Sequence, residues 1–366
     1  MKVVIIYGGT SSEHEVSLRS ATSVLRNLAP QDEVHLIGIS KQSGKWYAQE
    51  PSVRNEILSS PDAILKVQEN EDALVSIVPA TAPAVFKTKD RILECDVVFP
   101  VLHGSYGEDG CIQGLFEVIG IPYVGPCVLA SSLAMDKERA KILWKVAGLP
   151  VVPYVSLHLN EWKNEAMREA VILRSQTEFG YPMFVKPAAA GSSVGASKVQ
   201  TKEELIKACD EAFVHGNKVL IEKFMEAREI ECSVTGYQRA KVYTAGEIVF
   251  HHEFYDYDAK YIDADGATLK IPADLDDATC KKVRELAGKA YEVLELTSLS
   301  RVDLFIDKKT GDIYLNEVNT IPGFTSISMF PKLCEAAGLQ YKDLIQLLLT
   351  EAIANFRKFR LNTGWK

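Results

Sequence analysis

A chain of 366 residues in which 47% are hydrophobic is long enough for two or three domains with real cores, which argues against a disordered protein. Its formal net charge of −8, from 49 acidic against 41 basic residues, argues against a surface that tracks nucleic acid or an anionic membrane. The seven scattered cysteines contain no C-x-x-C pair, so they supply neither a disulfide framework nor a zinc site and suit a reducing cytoplasm.

In chain order, residues 2–7 form an apolar run that predicts a buried parallel strand and is too short for a signal peptide or a membrane span. A loop at 8–12 leads into a helix reaching residue 28, and Ser12 with Glu15 three residues on predicts a capping box at its start. Further strands are expected at 33–40 and 96–102. The polar stretch between them carries Pro51, Pro61, Pro79 and Pro83 and has no clear period, so it is expected to elaborate the surface or to contact another subunit. Residues 111–119 predict a helix, 122–126 a short strand or turn, and 128–134 a small-residue helix. Residues 1–134 thus read as an open parallel-sheet α/β domain.

Residues 135–225 read as an α+β module: helices at 137–147 and 161–178, a strand at 182–186, a glycine-rich loop, a strand, a helix at 202–215 and a strand at 219–224. Residues 226–366 open with strands at 230–237 and 242–250. A polar, tyrosine-rich loop then runs to about residue 272, followed by a long helix, two strands and a closing helix. The loop is too aromatic for a core strand and too long for a plain turn; it reads as a lid or as a solvated loop.

Strand side chains alternate faces, so Arg301 shares a face with Asp303 and Glu317 shares one with Asn319, while Val302, Leu304 and Val318 point the other way into a core, which leaves the four polar groups on one side of the pair. Two carboxylates, an amide and a guanidinium converging on an antiparallel pair suit Mg²⁺ held between protein oxygens and nucleotide phosphates. The same alternation also describes an exposed salt-bridge ladder. Lys186 closes a strand and opens the small-residue loop 187–195, which lets backbone N–H groups approach phosphate but which also fits an ordinary turn. Residues 219–225 form a buried strand ending in Glu222 and Lys223, with apolar Phe224 and Met225 able to sandwich an adenine ring. Glu13-His14-Glu15 and His103 each follow a presumed parallel strand, at the edge where open α/β sheets bind ligands. Either Glu15 or His103 taken alone also reads as a capping carboxylate or a loop histidine.

Taken together these segments resemble the D-alanine–D-alanine ligase family over essentially the whole chain. The resemblance rests on Gly8-Gly9 through Glu13-His14-Glu15-Val16-Ser17, His103-Gly104 through Gly107-Glu108-Asp109-Gly110, Met135-Asp136-Lys137, Gly191-Ser192-Ser193-Val194-Gly195, and Asn316-Glu317-Val318-Asn319-Thr320 through Pro322-Gly323-Phe324-Thr325. It implies an ATP-grasp architecture behind the N-terminal domain, and an enzyme that joins two D-alanine molecules through an acyl phosphate for peptidoglycan precursors. By resemblance, Lys137, Lys186 and Ser193 would hold ATP phosphates, Glu222 and residues 223–225 adenine, and Glu229 the ribose. Asp303, Glu317 and Asn319 would hold two Mg²⁺, with Mn²⁺ able to substitute. Glu15 would receive the first ammonium group beside His103, and Glu15, Ser192 and Tyr261 would link to close the lid. Lys260, Ser328 and Met329 would line the second amino-acid site, and Arg301 with the Gly323 N–H would stabilise the tetrahedral oxyanion. Residues 188–190 are alanines where relatives often carry polar side chains, so only backbone contacts to phosphate are expected there. Tyr261 and Met329 favour D-alanine over D-lactate or D-serine as second substrate. A cytoplasmic homodimer is implied. A non-catalytic ATP sensor fits poorly with the retained Glu15, Arg301, Asp303, Glu317 and Asn319, and the loop at 7–12 lacks the G-x-G-x-x-G of a dehydrogenase.

Overall fold

A computed structural model of the chain describes residues 1–78, 85–191, 194–237, 239–250 and 267–363. Strand β1 (Lys2–Gly8) leads to helix α1 (His14–Asn27), then β2 (Glu33–Ile39) and β3 (Trp46–Ala48). Helix α2 (Ser52–Ser59) and the strands β4 (Ser76–Val78), β5 (Val85–Lys87) and β6 (Ile92–Glu94) precede β7 (Val97–Val101). The first sheet has the order β3-β2-β1-β7, with β1 parallel to both neighbours. Alternation buries both faces of β1: Val3, Ile5 and Tyr7 enter one core, Val4 and Ile6 another, as a covered parallel sheet requires.

Helix α1 differs from expectation at its start. It opens at His14 behind Glu13, with no side-chain cap, so the Ser12–Glu15 capping box does not form. Ser11 supplies the local acceptors instead: its carbonyl takes the His14 N–H at 3.3 Å and its Oγ the Glu13 N–H at 3.2 Å. The stretch between β2 and β7 is more than surface elaboration. Leu65 is fully buried against α1, its N–H donating to Thr22 Oγ1, and Tyr7 donates to the Lys66 carbonyl.

Helices α3 (Cys111–Ile119), α4 (Val128–Met135) and α5 (Lys137–Val146) lead to β8 (Tyr154–His158), a strand absent from the sequence reading. The helix expected at 161–178 is two, α6 (Leu159–Lys163) and α7 (Glu165–Phe179), because Asn164 leaves helical geometry and caps α7 through the Met167 N–H. Strands β9 (Met183–Pro187) and β10 (Ser197–Val199), helix α8 (Lys202–Val214) and β11 (Lys218–Lys223) complete an antiparallel sheet in the order β10-β9-β11-β8. Met183, Val185, Val219 and Ile221 pack under the helices, which leaves Lys186 and Glu222 on the opposite face.

The third sheet, β14-β13-β12-β15-β16, is antiparallel and built from β12 (Ala227–Gly236), β13 (Lys241–Phe250), β14 (Ala267–Lys270), β15 (Ser298–Asp307) and β16 (Ile313–Asn319). Helix α9 (Asp277–Val293) joins α4 and α5 on one face, where Trp144, Ile230, Cys232, Val302, Leu304 and Leu315 form a core. The expected closing helix is again two, α10 (Met329–Ala336) and α11 (Tyr341–Thr363), separated by Gly338 at φ 91°. Helix α11 returns to the first sheet: Leu344, Ile345, Leu348 and Leu349 share a core with Val97, Phe99 and Val101. Cores therefore cross the boundaries expected at 134 and 225. The polar faces of the second and third sheets are tied together where Lys186 donates to Asn316 Oδ1 at 3.0 Å.

Candidate active site

The edge of the first sheet presents a buried, titratable cluster. Glu13, His103 and Glu108 are each under 10% exposed. Gly104, at φ 73°, is positioned so that a Cβ would fall 2.7 Å from Glu13 Oε2, and a Cβ on Gly191 would lie 3.0 Å from the same oxygen. The Glu13 carboxylate thus sits between the His103–Gly104 turn and the glycine-rich loop. Glu15 does not reach it: it is exposed on the first turn of α1, on the same outer face as Arg19. The assignment of Glu15 to the site is corrected to Glu13 on this ground. A helix turns 100° per residue, so two acidic residues two positions apart face nearly opposite ways.

Burial, reinforced by the Glu13 charge, pushes the Glu108 carboxyl up to about 8. Its two oxygens accept from the Gly104 N–H at 2.9 Å and the Ile321 N–H at 3.3 Å. Burial also lowers the His103 imidazole below its usual value, although Glu13 opposes this. His103 Nδ1 lies 2.9 Å from the Ile321 carbonyl and Nε2 3.0 Å from Ser20 Oγ. A carbonyl only accepts, so Nδ1 carries the proton and Nε2 receives the Ser20 hydroxyl.

The second sheet contributes lysines. Lys186 Nζ is 2.9 Å from Glu222 Oε2, and Lys141 Nζ, fully buried, is 3.0 Å from Glu222 Oε1. Burial alone would raise the Glu222 carboxyl, but the two ammonium groups outweigh it and hold the carboxylate below its ordinary range. Burial pushes Lys141 down to about 8 against the pull of Glu222. Lys137 donates to the Ala190 carbonyl at 2.8 Å and pairs with Glu317 at 3.2 Å, which seats it between the glycine-rich loop and β16. Lys223 is exposed, Phe224 and Met225 are half-buried, and Lys198 Nζ stands 4.3 Å from the Phe224 ring centre. Glu229 is half-buried on β12.

On β15 and β16 the expected convergence is present. Arg301 pairs with Asn319 and Asp303 with Glu317 across the ladder, which carries a bulge just after Asp303. Arg301 donates to both Asp303 oxygens at 2.7 Å and contacts Glu231 at 3.1 Å, while Asn319 Nδ2 donates to Asp303 at 2.8 Å. Burial disfavours the guanidinium charge, but Asp303 and Glu231 override it and hold the group well above its normal value. Among the described residues no three His, Cys, Asp or Glu side chains cluster as a self-sufficient metal site. Two carboxylates and an amide beside Lys137 fit a hard divalent cation that completes its shell with phosphate oxygens.

The turn after β16 holds Gly323 and Ser328. Ser328 Oγ accepts the Thr325 N–H at 3.0 Å, and Ser328 remains half-buried. Met329 is only 4% exposed and is packed under Gly246 of β13, so it does not present itself to a substrate. Ser192, Ser193, Lys260 and Tyr261 lie outside the described residues. The sequence reading missed Ser20, Lys141 and Glu231. The helical phase of α1, which places Ser17 and Ser20 on the buried side with Glu13, was the available signal for the first.

The chain matches family models described as the D-ala D-ala ligase N-terminus over residues 2–126 and the D-ala D-ala ligase C-terminus over residues 143–350. It is 51% identical over 361 residues to the D-alanine–D-alanine ligase of Treponema denticola, covering 98% of each chain. The structure is similar to the D-alanine–D-alanine ligase of Coxiella burnetii, with TM-score 0.82, 30% identity, and 99% and 96% of the two chains covered. It is also similar to the VanG D-Ala:D-Ser ligase of Enterococcus faecalis, with TM-score 0.81, 36% identity, and 96% and 98% covered. Two antiparallel sheets closing on a lysine- and carboxylate-lined cleft behind an open sheet that is parallel except for its edge strand β3 are the ATP-grasp architecture of these neighbours, and with both terminal models matched the chain belongs to the D-alanine–D-alanine ligase family.

Proposed function

We propose that the chain ligates two D-alanine molecules into D-alanyl-D-alanine, with ATP converted to ADP and phosphate, to supply peptidoglycan precursors. One observation carries this reading: Glu108 of the first region, Lys137, Gly191, Glu317 and Asn319 line a single crevice. Groups suited to an amino acid, to phosphate and to a cation therefore meet in one place. Residues 1–134 serve the first D-alanine, 135–225 grip the nucleotide, and 226–366 supply the cation site.

Lys137 and Lys186 neutralise phosphate charge, and Ser193 contributes a phosphate contact. Glu222 and the backbone of Lys223, Phe224 and Met225 bind adenine, and Glu229 the ribose. Asp303, Glu317 and Asn319 hold Mg²⁺, or Mn²⁺ in its place, which when bound draws charge from the phosphate oxygens. Glu13 receives the first ammonium group and, with Ser192 and Tyr261, forms the link that excludes water from the acyl phosphate. The carboxylate of the first D-alanine takes the γ-phosphoryl group of ATP as ADP leaves, giving the acyl phosphate. The amine of the second D-alanine, bound by Lys260 and Ser328, then attacks its carbonyl carbon; the C–N bond forms, the C–O bond to phosphate breaks, and phosphate and a proton depart. Arg301 and the Gly323 N–H face the oxyanion that develops. Met329 shapes the second site only from behind, through packing. Among the described residues no helix is long and apolar enough to cross a membrane, and we place the enzyme in the cytoplasm as a homodimer. The test is ADP release that needs both Mg²⁺ and D-alanine; ADP formed at the same rate without D-alanine would contradict the reading.

A further inference from the structure

We propose that Ser20 is a positioning residue for the Gly323 N–H, an inference that rests on the ligase reading above. The turn that carries Gly323 belongs to the third region, yet its backbone is held from the first. The Ile321 N–H donates to Glu108, the Phe324 N–H to Ser20 Oγ at 3.2 Å, and the Thr325 N–H to Ser328 within the turn. Thr320 Oγ1 donates to the Glu108 carbonyl at 3.0 Å, and the Ile321 carbonyl accepts from His103. Pro322 has no N–H. From residue 321 to 325 the Gly323 N–H alone makes no hydrogen bond among the described residues. A backbone donor left over while its neighbours are all engaged is what an oxyanion site needs, because such a donor is aimed before charge develops.

Ser20 closes this arrangement. It is fully buried on α1, so no bulk water can replace its partners. Its one proton goes to His103 Nε2, and a lone pair accepts the Phe324 N–H. The result is one chain of bonds from the Phe324 N–H through the Ser20 hydroxyl and the His103 ring to the Ile321 carbonyl, which brackets Pro322 and Gly323 on both sides. An alanine at 20 strands the Phe324 N–H and His103 Nε2 together, and the turn can then shift.

The experiment compares wild type, Ser20→Ala and Ser20→Thr for dipeptide turnover, KM for ATP and thermal midpoint. Ser20→Ala is expected to lower kcat about 30-fold, short of the roughly 100-fold that an ångström of misplacement costs, with KM for ATP within about twofold, since no nucleotide contact changes. Ser20→Thr keeps the hydroxyl and recovers most of kcat. Equal losses in both variants, a rise in KM for ATP matching the fall in kcat, or no effect in Ser20→Ala would each overturn the proposal. A separate readout needs no change at position 20: in wild-type protein labelled with 15N-histidine, the His103 resonances, assigned by difference against His103→Asn, show the Nδ1–H tautomer. An Nε2–H tautomer would overturn the proposal too. Wild-type protein without D-alanine-dependent turnover would instead remove the ligase reading, and this inference with it.

Discussion

Replacing Glu13 and Glu15 singly by glutamine separates a buried ligand from a surface charge on the same helical turn. Glu13 is 8% exposed and lies against Gly104 and Gly191, whereas Glu15 faces solvent beside Arg19. A hydrogen bond to a charged group contributes about 1.5–3 kcal/mol. Exchanging the Glu13 carboxylate for an amide of the same shape should therefore lower kcat/KM for D-alanine by about 10- to 150-fold, at roughly 1.4 kcal/mol per tenfold. Glu15→Gln loses only a first-turn charge favourable to the helix dipole, which is a stability effect of a few tenths of a kcal/mol and no kinetic one. Initial rates of ADP release across D-alanine concentrations, at saturating ATP and Mg²⁺, give both numbers. A large loss in Glu15→Gln with Glu13→Gln near wild type would refute the assignment of Glu13.

Other outcomes follow from the same geometry. Lys141→Met removes one of two cations facing the buried Glu222 carboxylate; Lys186 remains at 2.9 Å, so the cost falls at the lower end for a broken buried pair, about 3 kcal/mol in urea unfolding. KM for ATP should rise with it, and an unchanged unfolding midpoint would contradict the account. Asp303→Asn leaves Arg301 without a bidentate acceptor and should raise the Mg²⁺ needed for half-maximal activity by about 10- to 100-fold; an unchanged Mg²⁺ titration would remove Asp303 from the cation site. Glu108 titrates near 8 when folded but near 4.5 when unfolded, so between those values the folded state keeps a proton that the unfolded state has lost. Its contribution therefore makes stability fall as pH rises through that window. The thermal midpoint of Glu108→Gln should show a shallower decline over the same range, and an identical slope would place the titration elsewhere.

The alternation of side chains on strands carried much of the site from the sequence. Arg301 and Asp303, and Glu317 and Asn319, share a face because their apolar neighbours must enter a core, and the ladder brings all four together. The helix is less legible: the Glu13-His14-Glu15 string points to the site, but the string alone does not say which of its two carboxylates turns inward. Val16, Ser17, Ser20, Ala21 and Val24 are among the buried positions of α1, and of the two carboxylates only Glu13 continues that stripe. Lys141 was hidden for a different reason. A lysine at i+4 from Lys137 on α5 reads as a solvated charge, and only the approach of β11 turns it into the buried partner of Glu222. Likewise, nothing local to residues 341–363 says that this helix packs against the first sheet. That contact joins the two ends of the chain and depends on the topology of the whole.

Ligation of two D-alanine molecules is tested by the identity of the product formed from ATP, Mg²⁺ and D-alanine, alone and mixed with D-serine or D-lactate, measured by mass with ADP counted in parallel. D-alanyl-D-alanine is expected in every mixture, with one ADP per dipeptide; a mixed product as the main species, or ADP without any dipeptide, would contradict D-alanine–D-alanine ligation.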